Sequence, residues 1–164
     1  MSNLQLALEI CTNELLIPFE GYHEKLPNGD CTAYPDPATG KEPFTIGFGS
    51  TRHPNGTPVR EGEIWTKEYS VECKQRVLQG FLRDLLILSP PLVTESPRRI
   101  AAVLSWVYNC GVGNYRISTF RKKVNSKEWE EAAEQCKKWN KANGKVMKGL
   151  TRRRLAESLM LLNP

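Results

Sequence analysis

Histidine is scarce in this chain of 164 residues, which has only His23 and His53. A metal hydrolase built on them would need Cys31 as a third ligand, and the three sit at no recognised ligand spacing. No metal or other cofactor is expected. Cysteine is little better organised: Cys11, Cys31, Cys73, Cys110 and Cys136 form an odd set without regular spacing, which excludes a disulfide framework and a zinc ribbon and points to a reducing compartment. No stretch approaches the roughly 18 uncharged apolar residues that a membrane span requires. Lys and Arg are missing from the opening "MSNLQLALEICTNELLIPFE", and Glu9 and Glu14 break its apolar run, which is not the pattern of a signal peptide. There is no internal repeat and no low-complexity tract.

What the chain has in quantity is positive charge. The formal balance is +5 and the pI about 9.0, with basic residues crowded into "FRKKVN", "CKKWNKANGKVMKGL" and "TRRR". That suits an anionic partner, whether nucleic acid, an acidic membrane surface or a charged polymer such as bacterial cell wall; it equally suits solvated helix faces.

The length suits a single domain spanning residues 1–164. Residues 3–19 have helical period, with Leu4, Leu8, Cys11 and Leu15 on one stripe. From 21 to 65 the texture changes to Gly- and Pro-rich turns such as "LPNGD", "PDPATG" and "HPNGTP", which predict a small, turn-rich β lobe. A long connecting helix over 66–89 follows, capped by Thr66, with Cys73, Val77, Phe81 and Leu85 as its buried line and a stop at "SPP". Three further helical stretches fill 90–164. "SPRRIAAVLSWVYNCG" begins with Ser96 as cap and Pro97 inside it, and Ile100, Val103, Val107 and Cys110 share a face before Gly111. "NSKEWEEAAEQCKKWNKANG" starts at Asn125 or Ser126, and "GLTRRRLAESLMLLNP" closes the chain. The fold class is α+β and mainly helical.

Chemistry concentrates near the first boundary. Glu20 ends the apolar run "LLIPF", where partial burial favours its protonated form. Asp36 lies in a turn stiffened by Pro35 and Pro37. Two carboxylates in unlike settings are what acid-catalysed glycoside cleavage needs, one to protonate the leaving oxygen and one to manage water or developing charge. Thr45 has a hydroxyl that both donates and accepts, and Gly47 and Gly49 would let a substrate approach the backbone. Ordinary surface acids and a tight β-turn account for the same residues, and Glu24, Asp30 and Glu42 lie nearby.

Taken together, "FEG" at 19–21, "YPD" at 34–36 and "TIGFG" at 45–49 resemble the Glu, Asp and Thr of the phage-type lysozymes, the T-even phage lysozyme family of endolysins. "SWVYNCGVG", "ISTFRKKVN" and "GLTRRRLAE" resemble the family's later motifs in the same order, so the likeness runs from residue 19 to 157. It implies a lysozyme-like fold with a cleft between a small β lobe and a larger helical lobe. It also implies a muramidase that hydrolyses the β-1,4 bond between N-acetylmuramic acid and N-acetylglucosamine in peptidoglycan. Glu20 would be the general acid, Asp36 and Thr45 would position the hydrolytic water, and Gly49, Tyr108, Asn109 and Ser118 would line the saccharide cleft. The chain departs from the family's pattern in a long loop over 21–34 and in Ser50, where many members have histidine.

A nucleic-acid-binding module, suggested by the basic helices with Trp129 and Trp139, leaves the β-lobe motifs unexplained, so no nucleic acid partner is expected. A monomer is expected, made in the host cytoplasm and reaching the wall only after a separate holin-type membrane protein has permeabilised the membrane.

Overall fold

Ser2 opens the first helix in the computed structural model, which describes residues 1–164: its hydroxyl accepts a hydrogen bond from the Gln5 amide at 3.1 Å and α1 runs Asn3–Ile10. Over Cys11–Leu16 the helix widens to π geometry before α2, Ile17–Glu20. Thr12 Oγ1 donates to the Leu8 carbonyl at 2.7 Å, a back-bond of the kind that bends helices. Ala7, Cys11, Leu15 and Leu16 are its fully buried stripe, with Leu4 and Leu8 at the margin.

Residues 20–77 form one compact unit and residues 1–19 with 78–164 another. In the first, β1 (Cys31–Thr32) pairs antiparallel with β2 (Ile64–Trp65), Cys31 opposite Trp65. The remaining pairing is by single bridges, Tyr34 with Thr45 and Ile46 with Ser50 among them. The small core of this unit is Cys31, Ile46, Val59, Trp65 and Cys73.

The helix α3, Lys67–Leu88, begins where Thr66 Oγ1 accepts from the Tyr69 amide at 3.1 Å, and ends at Ser89, ahead of a 3₁₀ turn over Pro90–Thr94. Its buried line is not the expected one. Val77 is 41% exposed and Phe81 only half-buried, whereas Ser70, Lys74, Leu78, Leu82 and Leu85 are buried with Cys73. Both lines run in four-residue steps, each drifting about 40° around a helix of 3.6 residues per turn, so period alone does not choose between them and the packing partner does.

In the helical unit, Ser96 Oγ accepts from the Arg99 amide and α4, Pro97–Cys110, is buried on every side from Ile100 to Val107 before Gly111, at φ 97°, ends it. Two short helices not expected from the sequence follow, α5 (Val112–Ile117) and α6 (Thr119–Asn125). The next helix begins later than Asn125 or Ser126. Asn125 closes α6, Lys127 turns at φ 57°, and α7 runs Trp129–Lys137. It also stops earlier. Instead of continuing to Gly144, the chain makes a hairpin of β3 (Lys141–Ala142) and β4 (Lys145–Val146) around Asn143 and Gly144, both at positive φ as a type I′ turn requires. The last helix, α8, is Lys148–Leu162.

The core of this unit is aromatic at its centre. Trp106 meets Tyr115, Phe120 and Trp139 with ring centroids 5.0 to 5.8 Å away, and Tyr115 shares a 2.7 Å hydrogen bond with Ser89. Beside it lies a buried charge cluster. Glu157, fully buried, accepts from Ser105 Oγ at 2.8 Å and pairs with Arg154 at 2.8 Å and Arg153 at 3.5 Å. Full burial pushes the Glu157 carboxyl above its usual range against the opposing pull of Arg154 and Arg153, while on Arg154 the Glu157 carboxylate more than offsets burial and holds the guanidinium above its usual range.

Candidate active site

Four of the residues singled out in the sequence belong to the unit of residues 20–77. Glu20 is the last residue of α2 and half-buried. Gly49 stands beside it: at φ 85°, a Cβ there would lie 3.5 Å from Glu20 Oε2 and 4.0 Å from Lys74 Nζ. The backbone at Gly49 is therefore left bare next to the carboxylate, and Gly49 itself is exposed.

Asp36 and Thr45 are tied through Tyr34. Tyr34 and Thr45 exchange two backbone hydrogen bonds of 2.9 Å, and Asp36 follows Tyr34 by two residues, the spacing at which extended chain returns to the same face. The Asp36 carboxylate is held by its own turn: Oδ1 accepts from the Ala38 amide at 3.1 Å and Oδ2 from Thr39 Oγ1 at 3.5 Å. A carboxylate has about four lone-pair sites, so both oxygens keep capacity for a water. Thr45 is half-buried, and only its backbone is used in the pairing.

Gly47, unlike Gly49, is packing. A Cβ there would sit 2.6 Å from Ser70 Oγ, and the residue adopts φ 64° in the tight loop that Ile46 and Ser50 close with reciprocal bonds of 2.8 and 3.0 Å. The two glycines thus have different roles in one stretch, Gly47 letting the loop press onto α3 and Gly49 leaving bare backbone at Glu20.

Tyr108, Asn109 and Ser118 belong to the helical unit. Tyr108 packs edge-on against Phe81, 5.4 Å between ring centroids, and Asn109 is exposed in the last turn of α4. Ser118 is 4% exposed, and its hydroxyl is engaged on both sides: it accepts from the Arg121 amide at 3.0 Å, capping α6, and donates to the Tyr115 carbonyl at 2.8 Å.

Lys74 escaped the sequence reading. It is 3% exposed, a rare burial for a lysine, and its ammonium converges with Glu20 on Gly49. The available signal was its four-residue offset from Ser70 and Leu78, which share the buried side of α3.

His53, considered above as a metal ligand, has both ring nitrogens engaged: Nε2 lies 2.6 Å from Glu63 Oε1 and Nδ1 3.2 Å from Tyr69 Oη. Burial pushes Glu63 upward, but the Arg60 amide and His53 outweigh it and hold the carboxyl below its usual range. A lowered folded-state value means stability that is present above the ordinary glutamate range and lost as pH falls through the folded value. Glu63→Gln should accordingly flatten the acid side of a plot of Tm against pH, measured from pH 7 down to 3. An unchanged acid slope would show that the pair contributes nothing.

A mainly helical fold with a half-buried glutamate, a turn-held aspartate and a threonine on one small β unit defines a lysozyme-like class of protein. The family model for phage lysozyme matches residues 24–157. This chain belongs to the phage lysozyme family. It is 32% identical over 115 residues to the SAR-endolysin of Bacteriophage PS119, a stretch covering 70% of this chain and 65% of that relative, so under two thirds of the relative's length is matched. Among solved structures, it superposes on the endolysin of Escherichia coli O157:H7 phage FAHEc1 with a TM-score of 0.76 at 27% identity, covering 99% of this chain and 94% of the other. Against P22 lysozyme the TM-score is 0.74 at 26% identity, covering 99% of both chains.

Proposed function

We propose that this chain is a muramidase of the endolysin type, cleaving the β-1,4 bond between N-acetylmuramic acid and N-acetylglucosamine in bacterial peptidoglycan to release phage progeny. The observation that supports the reading is Glu20 Oε2 beside the bare backbone of Gly49, in the same compact unit as Asp36 and Thr45, in a member of the phage lysozyme family. Glu20 protonates the glycosidic oxygen. Asp36 accepts a proton of the hydrolytic water while the Thr45 hydroxyl fixes its direction. Tyr108 and Asn109 bind the saccharide, and Ser118 contributes by holding the corner between α5 and α6.

The chain acts as a monomer after synthesis in the host cytoplasm, and a separate holin-type protein opens the membrane for it. No helix is long and apolar enough to cross a membrane.

The test is product analysis on purified peptidoglycan: cleavage should expose N-acetylmuramic acid as the new reducing end. Exposure of N-acetylglucosamine, or release of peptide alone, rejects the assignment. In the same assay Asp36→Asn and Thr45→Ala should each lower kcat by about 10-fold or more while KM moves less, because both act on water rather than on sugar recognition. A rise in KM at unchanged kcat would assign them to binding instead.

A further inference from the structure

The last helix buries charge and exposes leucine. Its buried side carries Arg153, Arg154, Glu157 and Ser158 along with Met160 and Leu161, while Leu155, Leu159 and Leu162 are 48%, 52% and 43% exposed. These leucines are not scattered. With Lys148 and Arg152 they fall at spacings of four, three, four and three, a stripe roughly 80° wide and about 20 Å long on one side of α8. The stripe is cationic at its first turn and apolar beyond it.

The hairpin before α8 repeats the combination. Lys141 and Val146 are opposite partners and so share a face of the ribbon, and Val146 and Met147 are 60% and 47% exposed. Met147 is fixed to α8's first turn, its amide donating to the Asn140 carbonyl at 2.9 Å while its own carbonyl accepts from the Thr151 amide. From Lys137 to Ala156 there is no acidic residue, and Lys138, Lys141, Lys145, Lys148 and Arg152 are all exposed.

Charge and apolar surface together select the occupant. A nucleic acid or an anionic polysaccharide would neutralise the cations and leave the leucines in water. A second copy would cover the leucines by bringing two cationic rims together. An anionic bilayer surface satisfies both, with phosphates at the lysines and the acyl boundary under the apolar residues. We propose that the β3–β4 hairpin and the outer face of α8 form a peripheral docking surface for anionic lipid, separate from the carboxylate site.

The experiment is co-sedimentation of the full chain with vesicles of phosphatidylglycerol and phosphatidylcholine, against phosphatidylcholine alone, at low and high salt. Binding to the anionic vesicles should be about tenfold tighter or more at low salt, and should retain a salt-resistant fraction because part of it is apolar. Leu155→Ser with Leu159→Ser should weaken binding about tenfold while Tm and hydrolysis of soluble fragments stay unchanged. Ile87→Ser with Ile117→Ser, which removes two still more exposed apolar residues elsewhere in the helical unit, should leave binding intact. Lys141→Glu with Lys148→Glu should abolish the preference for anionic lipid. The proposal is overturned if wild-type protein ignores anionic vesicles, or if the leucine pair and the isoleucine pair behave alike. It is equally overturned if sedimentation velocity shows a dimer that the leucine pair dissolves without vesicle binding.

Discussion

Glu20→Gln should reduce lysis of purified peptidoglycan by on the order of 100-fold or more with the fold intact. The amide keeps the size and the hydrogen-bonding reach of the carboxyl but has no transferable proton, and loss of general acid catalysis alone costs roughly that much. Glu20 is half-buried at the close of α2, so the substitution removes no core packing, and Tm should not fall. Glu24→Gln and Glu42→Gln are the controls, both exposed acids of the same unit with no assigned role. Near-normal lysis by folded Glu20→Gln, or equal damage from the controls, would remove Glu20 from the chemistry.

Glu157→Ala should have the largest effect on stability of any single charge removal. Glu157 is fully buried and is the anion for both Arg153 and Arg154, themselves 4% and 1% exposed. Deleting it leaves the buried Arg154 guanidinium without its counter-charge, takes one anion from Arg153 and leaves Ser105 Oγ without its acceptor, a loss of about 3–5 kcal/mol on the pattern of broken buried pairs. Glu14→Ala is the comparison, since its pair with Arg98 is 3.6 Å long and roughly half exposed; such surface pairs contribute about 0–1 kcal/mol. Urea midpoints for the two variants decide the matter. A loss under about 1 kcal/mol at Glu157 would mean that the helical unit can rehydrate this cluster.

Much of this architecture was legible in the residues, for reasons that differ by position. Ser96, Thr66 and Gly111 announced helix ends because capping is local chemistry, decided by the nearest three or four residues. Glu20, Asp36 and Thr45 were legible as a set only through the family's motifs, since surface acids are common and spacing alone does not bring them together. The failures had tertiary causes. Val77 looked like core because its period matched, but the face of α3 that is buried is set by what packs on it. The helix drawn through Asn143 and Gly144 ignored a strong hairpin pair in favour of a long run of helix-forming lysines. Lys74 was missed because its only mark in the sequence, the four-residue offset from Ser70 and Leu78, matters only once that side of α3 is known to be the buried one.

The two units differ in how the chain supplies them. Residues 20–77 are continuous and contain their own core, whereas α1 must wait for α4, whose first residue is Pro97, before its stripe has a partner. At about 5–20 residues per second, a ribosome leaves that stripe uncovered for roughly 4 to 17 s. During that interval the carboxylate-bearing unit has every residue it needs to fold, while Ala7, Cys11, Leu15 and Leu16 present an apolar strip to chaperones and proteases. The order of synthesis therefore places the hazard of misfolding in the first 19 residues, and pulse proteolysis of stalled nascent chains should cut there while sparing the segment that follows.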